Sequence, residues 1–328
     1  MKRTLFWTLL GGLAAAGFLT WRGRLTSDPT TDFTDLSFSR RSPGTPSGEM
    51  SYYEAGEGQL LVLLHGIGGG ASAWYWSKVA PVLARRFRVV APDWVGWGRS
   101  EHPRRSLLGG EYVDQLRTLL AHLGEPVHVV AQGLAAGWVA ELARERPELF
   151  GRLILWTPSG GLDFGEDSFA PFYRRTFTPI ARSRTLGPVF YRLIFHRGSF
   201  IRSWLRGQGF YNPAAVSREV VEGSLDSARR PGAAYSALPF LSGDLRYDLA
   251  PLLRDLPVPA VMVWGEHERQ VGLPTGRRLA AQNPGIELIV LDRARGTPEQ
   301  ESPARSAALL EQLLQSRPPV RQDGITGR

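Results

Sequence analysis

The sequence predicts an α/β protein: a mostly parallel sheet covered by helices on both faces. Three observations carry that expectation. Short apolar runs of strand length alternate with longer amphipathic segments, the pattern of successive βαβ units. Glycine-rich turns follow several of the strand-like runs, as at His65–Gly70 and Asp93–Ser100. The chain has 328 residues, 43% hydrophobic and 21% charged, enough to bury a large core, so most of it is expected to fold.

At the N-terminus, residues 4–21 (TLFWTLLGGLAAAGFLTW) carry no charge and lie between Lys2-Arg3 and Arg22. As a helix this segment would rise about 27 Å, close to the roughly 30 Å hydrocarbon core of a bilayer. Residues 1–24 are therefore expected to be a membrane anchor, with its side undetermined because basic residues flank both ends. Ala14-Ala15-Ala16 offers a small-residue cleavage site, so export after signal cleavage is the alternative. Residues 25–48, rich in Ser, Thr, Pro, Asp and Gly, read as a linker with a first strand around Leu36–Ser39.

Strands are then expected at Met50–Ala55, Gln59–His65, Phe87–Pro92, Val127–Gln132, Arg152–Thr157, Val258–Trp264 and Ile286–Leu291. Helices are expected at Ser77–Arg86, Glu111–Leu123, Leu134–Arg146, Gly276–Gln282 and Pro303–Ser316. The core thus takes residues 49–165 and 251–316. Residues 166–250 break the rhythm, being aromatic and helical without β-branched runs, and read as a cap inserted over the sheet. Residues 317–328, with two prolines and two glycines, are expected to be disordered.

The functional signals begin with a sharp strand-to-helix turn, Ala131-Gln132-Gly133-Leu134-Ala135. In a nucleophile elbow, G-x-S-x-G, a serine stands exposed on such a turn. Upstream are His65-Gly66-Ile67-Gly68-Gly69-Gly70, whose backbone N–H groups suit an oxyanion, and the D-x-x-G-x-G-x-S turn Asp93–Ser100. Downstream are Trp264-Gly265-Glu266-His267-Glu268 and Arg295-Gly296-Thr297-Pro298-Glu299-Gln300-Glu301-Ser302-Pro303. Five motifs in this order resemble the α/β-hydrolase superfamily over roughly residues 49–316. The resemblance implies an α/β-hydrolase fold with a helical cap. It implies Gly66, Ile67 and Leu134 as oxyanion or ligand-binding residues, and Glu268 at the acid position.

Against that pattern the nucleophile position is Gly133 and the histidine position is Gly296. Neither can attack or take a proton, and an aspartate nucleophile is equally absent. Loss of a triad serine or histidine costs on the order of 10⁶ in turnover in a protease, so ordinary serine hydrolysis is not expected. Ser159, after a strand and near Asp163, is the best spare nucleophile, although its position also suits a turn or helix entry. His267 lies closest to the acid position, and His102 near the cleft rim; His65 belongs to its own loop. His122 and His128 suit packing or surface roles, and His196 the basic cap surface.

Several classes of chemistry are excluded. With no cysteine, disulfides, thiol nucleophiles and cysteine-bound metals are ruled out. No metal-ligand spacing, P-loop or dinucleotide fingerprint occurs, so neither metal nor cofactor is expected. The net charge of +8 is almost all arginine, with Lys2 and Lys78 the only lysines, and no recognition motif supports nucleic-acid binding. From Ser168 to Ser217 there are eight arginines, many aromatics and no acidic residue. That composition suits either an anionic membrane surface or an ordinary hydrophobic cap with solvated arginines. Two functions remain open: a membrane-associated, non-hydrolytic protein binding a lipophilic small molecule, or a hydrolase-like enzyme acting on a lipophilic ester through non-standard groups.

Overall fold

The computed structural model describes residues 37–162 and 171–315, with residues 171–176 described by their backbone alone. Its strands are β1 (Ser39–Arg41), β2 (Gly44–Thr45), β3 (Gly48–Glu49), β4 (Tyr52–Ala55), β5 (Leu60–Leu64) and β6 (Arg88–Pro92). They continue with β7 (Val127–Gln132), β8 (Phe150–Trp156), β9 (Ala260–Gly265) and β10 (Ile286–Leu291). Eight of them form one sheet in the order β1-β4-β6-β5-β7-β8-β9-β10. β4 runs antiparallel to both neighbours and the remaining pairs from β6 to β10 are parallel. The predicted mostly parallel sheet is observed.

Every residue of β5 is buried, as a strand covered on both faces must be. Leu60, Val62 and Leu64 join one core cluster with Tyr112, Leu116 and Trp138 from helices Gly109–Leu123 and Ala135–Glu145. Leu61 and Leu63 point the other way, into a second cluster with Trp76, Leu83, Leu310 and Leu314. The period of two along the strand thus divides the core into two layers.

Two local expectations change. The helix expected over Ser77–Arg86 is only Ala80–Leu83, preceded by a 3₁₀ turn at Ala73–Trp76. Pro81 has no N–H for a preceding helical turn, so the helix starts beside it. The segment 25–48 holds more than one strand, because β2 and β3 form a small hairpin. The described part of the cap segment is helical, from Pro171–Arg182 through Ala233–Ser242.

The expected membrane-anchored localisation is corrected. No helix among the described residues is long and apolar enough to cross a membrane. The segment that prompted it, residues 1–24, lies outside the described residues, as does the tail expected to be disordered.

Candidate active site

The elbow geometry is present. β7 ends at Gln132, Gly133 takes φ +55°, and helix Ala135–Glu145 begins two residues later. Glycine adopts this left-handed conformation without steric cost. A Cβ placed on Gly133 would meet nothing nearer than Gly66 Cα at 3.8 Å, so the position has room for a side chain. Gly133 and Gly296 are both half-buried. The turn is held by backbone bonds from Gly133 N to Trp156 O (3.1 Å) and from Ser159 N to Gly133 O (3.2 Å). Tyr247 ties it from outside: its hydroxyl accepts the Gly137 N–H at 3.0 Å and lies against the carbonyls of Leu134 and Ser159.

Glu268 faces Gly296, where the sequence motif expects a histidine. One carboxylate oxygen, Oε1, accepts the N–H groups of Arg269 (2.9 Å) and Gln270 (2.7 Å). The other, Oε2, is buried without a hydrogen-bond partner and would lie 2.7 Å from a Cβ on Gly296. Burial raises the pKa of this carboxyl, against the lowering effect of those N–H donors and of Arg295. Glutamate is one methylene longer than aspartate, and here its tip reaches the space that a histidine Cβ would occupy.

The glycine-rich loop is packed closely by the cap. A Cβ on Gly69 would lie 1.9 Å from the Phe195 ring, and one on Gly70 would lie 2.2 Å from Ser224 O. Cap side chains and backbone therefore approach the loop as closely as only glycine permits. His65 anchors the loop: its Nδ1–H donates to Gly66 O at 2.7 Å, and its Nε2 accepts the Trp94 N–H at 3.2 Å. Both partners fix the neutral tautomer, and burial brings its pKa down to about 4. Asp93 closes the next turn, accepting the N–H groups of Ala73 (2.6 Å) and Arg99 (2.7 Å).

Of the three expected oxyanion residues, Gly66 has its N–H committed to Gln132 Oε1 at 3.2 Å. Ile67 is half-buried beside it, and Leu134 is buried at the helix start. Gln132 passes the connection inward, its Nε2 donating to Glu299 Oε1 at 2.9 Å. Glu299 is fully buried and also receives Trp156 Nε1 at 2.9 Å and Gln300 Nε2 at 3.3 Å. Desolvation raises its pKa to about 7 despite these donors. The sequence pointed to neither Glu299 nor Gln132; the available signal was a carboxylate in a segment otherwise flanked by buried residues.

The segment Arg295–Glu301 fastens the cap. Arg295, only 7% exposed, donates through Nη1 to the carbonyls of Arg206 (3.3 Å), Gly207 (3.1 Å) and Phe210 (2.8 Å). Thr297 N–H donates to Gly209 O at 3.2 Å. Glu301 takes the N–H groups of Tyr211 and Asn212, each at 2.7 Å.

The side chains of the proposed substitutes are engaged elsewhere. Ser159 is adjacent to Gly133 through the backbone, but its Oγ accepts the Gly161 N–H at 3.1 Å, closing a turn. The His267 side chain is 47% exposed, pairs with Glu266 at 3.5 Å and lies against the Tyr211 ring. Among the described residues no group of three or more His, Cys, Asp or Glu side chains is arranged to hold a metal. A cavity of about 680 Å³ opens at the cap seam beside Tyr211, Arg295 and Glu301, and one of about 970 Å³ lies between Trp138, Glu141 and Asp248. Neither is lined by Gly133 or Gly296.

Known proteins resemble this chain in sequence or in fold. An uncharacterized protein of Mycobacterium tuberculosis is 25% identical over 313 residues, 92% of this chain and 85% of the relative. A 2-hydroxy-6-oxononadienedioate/2-hydroxy-6-oxononatrienedioate hydrolase of Paraburkholderia xenovorans is 25% identical over 274 residues, covering 80% of this chain and 89% of the relative. Among solved structures, a serine hydrolase involved in carbazole degradation aligns with a TM-score of 0.69 at 19% identity, over 85% of this chain and 100% of its own. A carboxylesterase from Bacillus subtilis aligns with a TM-score of 0.69 at 17% identity, over 88% and 95% respectively. These structures share the fold. A family model described as the alpha/beta hydrolase family matches residues 61–309, and the chain belongs to that family.

Proposed function

We propose that this chain is a non-hydrolytic member of its family, a binding or accessory protein whose cleft holds an apolar or lipid-like small molecule. The observation that carries this reading is the pair of half-buried glycines, Gly133 and Gly296, at the nucleophile and histidine positions. The oxyanion loop and the carboxylate position persist around them. Gly66 has its N–H engaged by Gln132, and Glu268 occupies part of the histidine's space. Both features favour a binding surface over a poised acyl-transfer site.

The competing reading is a hydrolase-like enzyme acting on a lipophilic ester through non-standard groups. Its support is the hydrolase relatives and the two buried carboxyls with raised pKa, Glu268 and Glu299. Purified chain assayed against short- and long-chain acyl esters separates the two. Turnover of order 1–10³ s⁻¹, the ordinary enzymatic range, would sink the binding proposal. Its expected outcome is turnover near background, together with a defined apolar molecule recovered by solvent extraction and mass spectrometry.

A further inference from the structure

The helix Leu186–Phe195 in the cap has two faces of unusual character. It buries Gly187, Tyr191 and Phe195, spaced four residues apart along one side. The other side is apolar too. Leu186 and Val189 are 57% and 44% exposed, with Phe190 and Leu193 half-buried in the same stripe. The next helix, Gly198–Trp204, adds Phe200, whose ring packs on Phe195 yet stays 38% exposed. A surface helix normally turns charged residues outward; this one presents aliphatic and aromatic groups on both sides.

Arginines surround the stripe. Arg184, Arg192 and Arg197 are exposed and join no ion pair among the described residues. Arg182 of the same segment pairs with Asp244, and outside it several arginines are matched, as in Arg117 with Glu145 (2.7 Å), Arg88 with Glu54 (2.7 Å) and Arg230 with Asp226 (3.1 Å). Within the segment itself no carboxylate occurs between Ser168 and Ser217.

We infer that this cap face docks on an anionic lipid bilayer, with Leu186, Val189 and Phe200 entering the acyl boundary and Arg184, Arg192 and Arg197 at headgroup phosphates. Charge complementarity selects the occupant. Arginines that join no ion pair suit anionic headgroups, and the exposed apolar groups beside them gain by leaving water. A nucleic-acid partner would give Leu186 and Val189 no comparable burial. The proposal concerns the cap surface and is independent of what the cleft holds.

The chain contains no cysteine, so Val189→Cys creates a unique site for an environment-sensitive fluorophore in the full-length protein. Glu57→Cys, exposed in the turn before β5, supplies a control label remote from the cap. With phosphatidylglycerol-containing vesicles the label at 189 shifts to the blue and the label at 57 does not. Arg184→Glu with Arg192→Glu weakens the vesicle titration by roughly five-fold per arginine, and added salt weakens it further. An unshifted label at 189 overturns the inference, whatever holds the rest of the chain at the vesicle. An equal shift with pure phosphatidylcholine overturns it too. So does a shift only with an acidic protein such as an added polyglutamate carrier.

Discussion

Glu299→Gln tests whether the buried carboxyl behind the elbow holds a proton near neutrality. The folded chain keeps that proton up to about pH 7, whereas an ordinary glutamate releases it near 4.5. Between those values the folded state binds more protons than the unfolded state. Stability therefore falls as pH rises through this window and is level above it. At 1.36 kcal/mol for each pKa unit, the contribution lost is roughly 3 kcal/mol. Glutamine cannot ionise, so the variant lacks this slope, while every other titrating group cancels when the two proteins are subtracted. Urea unfolding, followed by tryptophan fluorescence at a series of pH values, gives both curves. The wild-type-minus-variant difference declines by roughly 3 kcal/mol across the window. Parallel curves would show that Glu299 ionises at its ordinary value, and the argument from desolvation would be wrong.

Building a serine and a histidine at Gly133 and Gly296 depends on Glu268. Gly133→Ser has room, but in Gly133→Ser/Gly296→His the new Cβ must displace Glu268 Oε2 from 2.7 Å. Adding Glu268→Asp withdraws that oxygen, so the triple variant should hydrolyse p-nitrophenyl esters at least about ten-fold faster than the double; equal rates would refute the steric reading. Arg295→Met leaves the carbonyls of Arg206 and Phe210 without their buried donor, Gly207 keeping Arg269, and should cost about 2–4 kcal/mol, with hydrogen exchange accelerated at residues 205–212. Unchanged exchange there would remove Arg295 from the cap's attachment. Gly70→Ala forces a Cβ against Ser224 O at φ +94° and should destabilise by about 3 kcal/mol or more in thermal unfolding. A neutral result would mean the cap yields easily at that contact.

Strand-length apolar runs were legible because a central parallel strand must be apolar on both sides, as β5 is. Gly133 was legible for a similar reason, since the elbow is a local turn marked by its small neighbours. The Glu299 network was not, because its members come from positions 132, 156, 299 and 300 and meet only after the sheet is assembled. Arg295 is another case: in sequence it is a departure from a glycine, and only the fold supplies the three carbonyls it serves. The helix expected over Ser77–Arg86 failed locally, where a proline shortened it.

The seam between Arg295–Glu301 and the cap also orders events during folding. Its hydrogen bonds join residues 85 to 90 positions apart, with the cap partner always earlier in the chain. A cap emerging from the ribosome has no access to Arg295 or Glu301 until the last strand and the segment after it have been synthesised. Until then the carbonyls at 206 and 210 and the amides at 211 and 212 lack these partners, while the Gly207 carbonyl has Arg269 as a second donor. Closing such a long loop must be offset by contacts that form only at its end. Truncation before Arg295 would therefore leave the cap without its final fastening, even though every residue of the cap itself had been made.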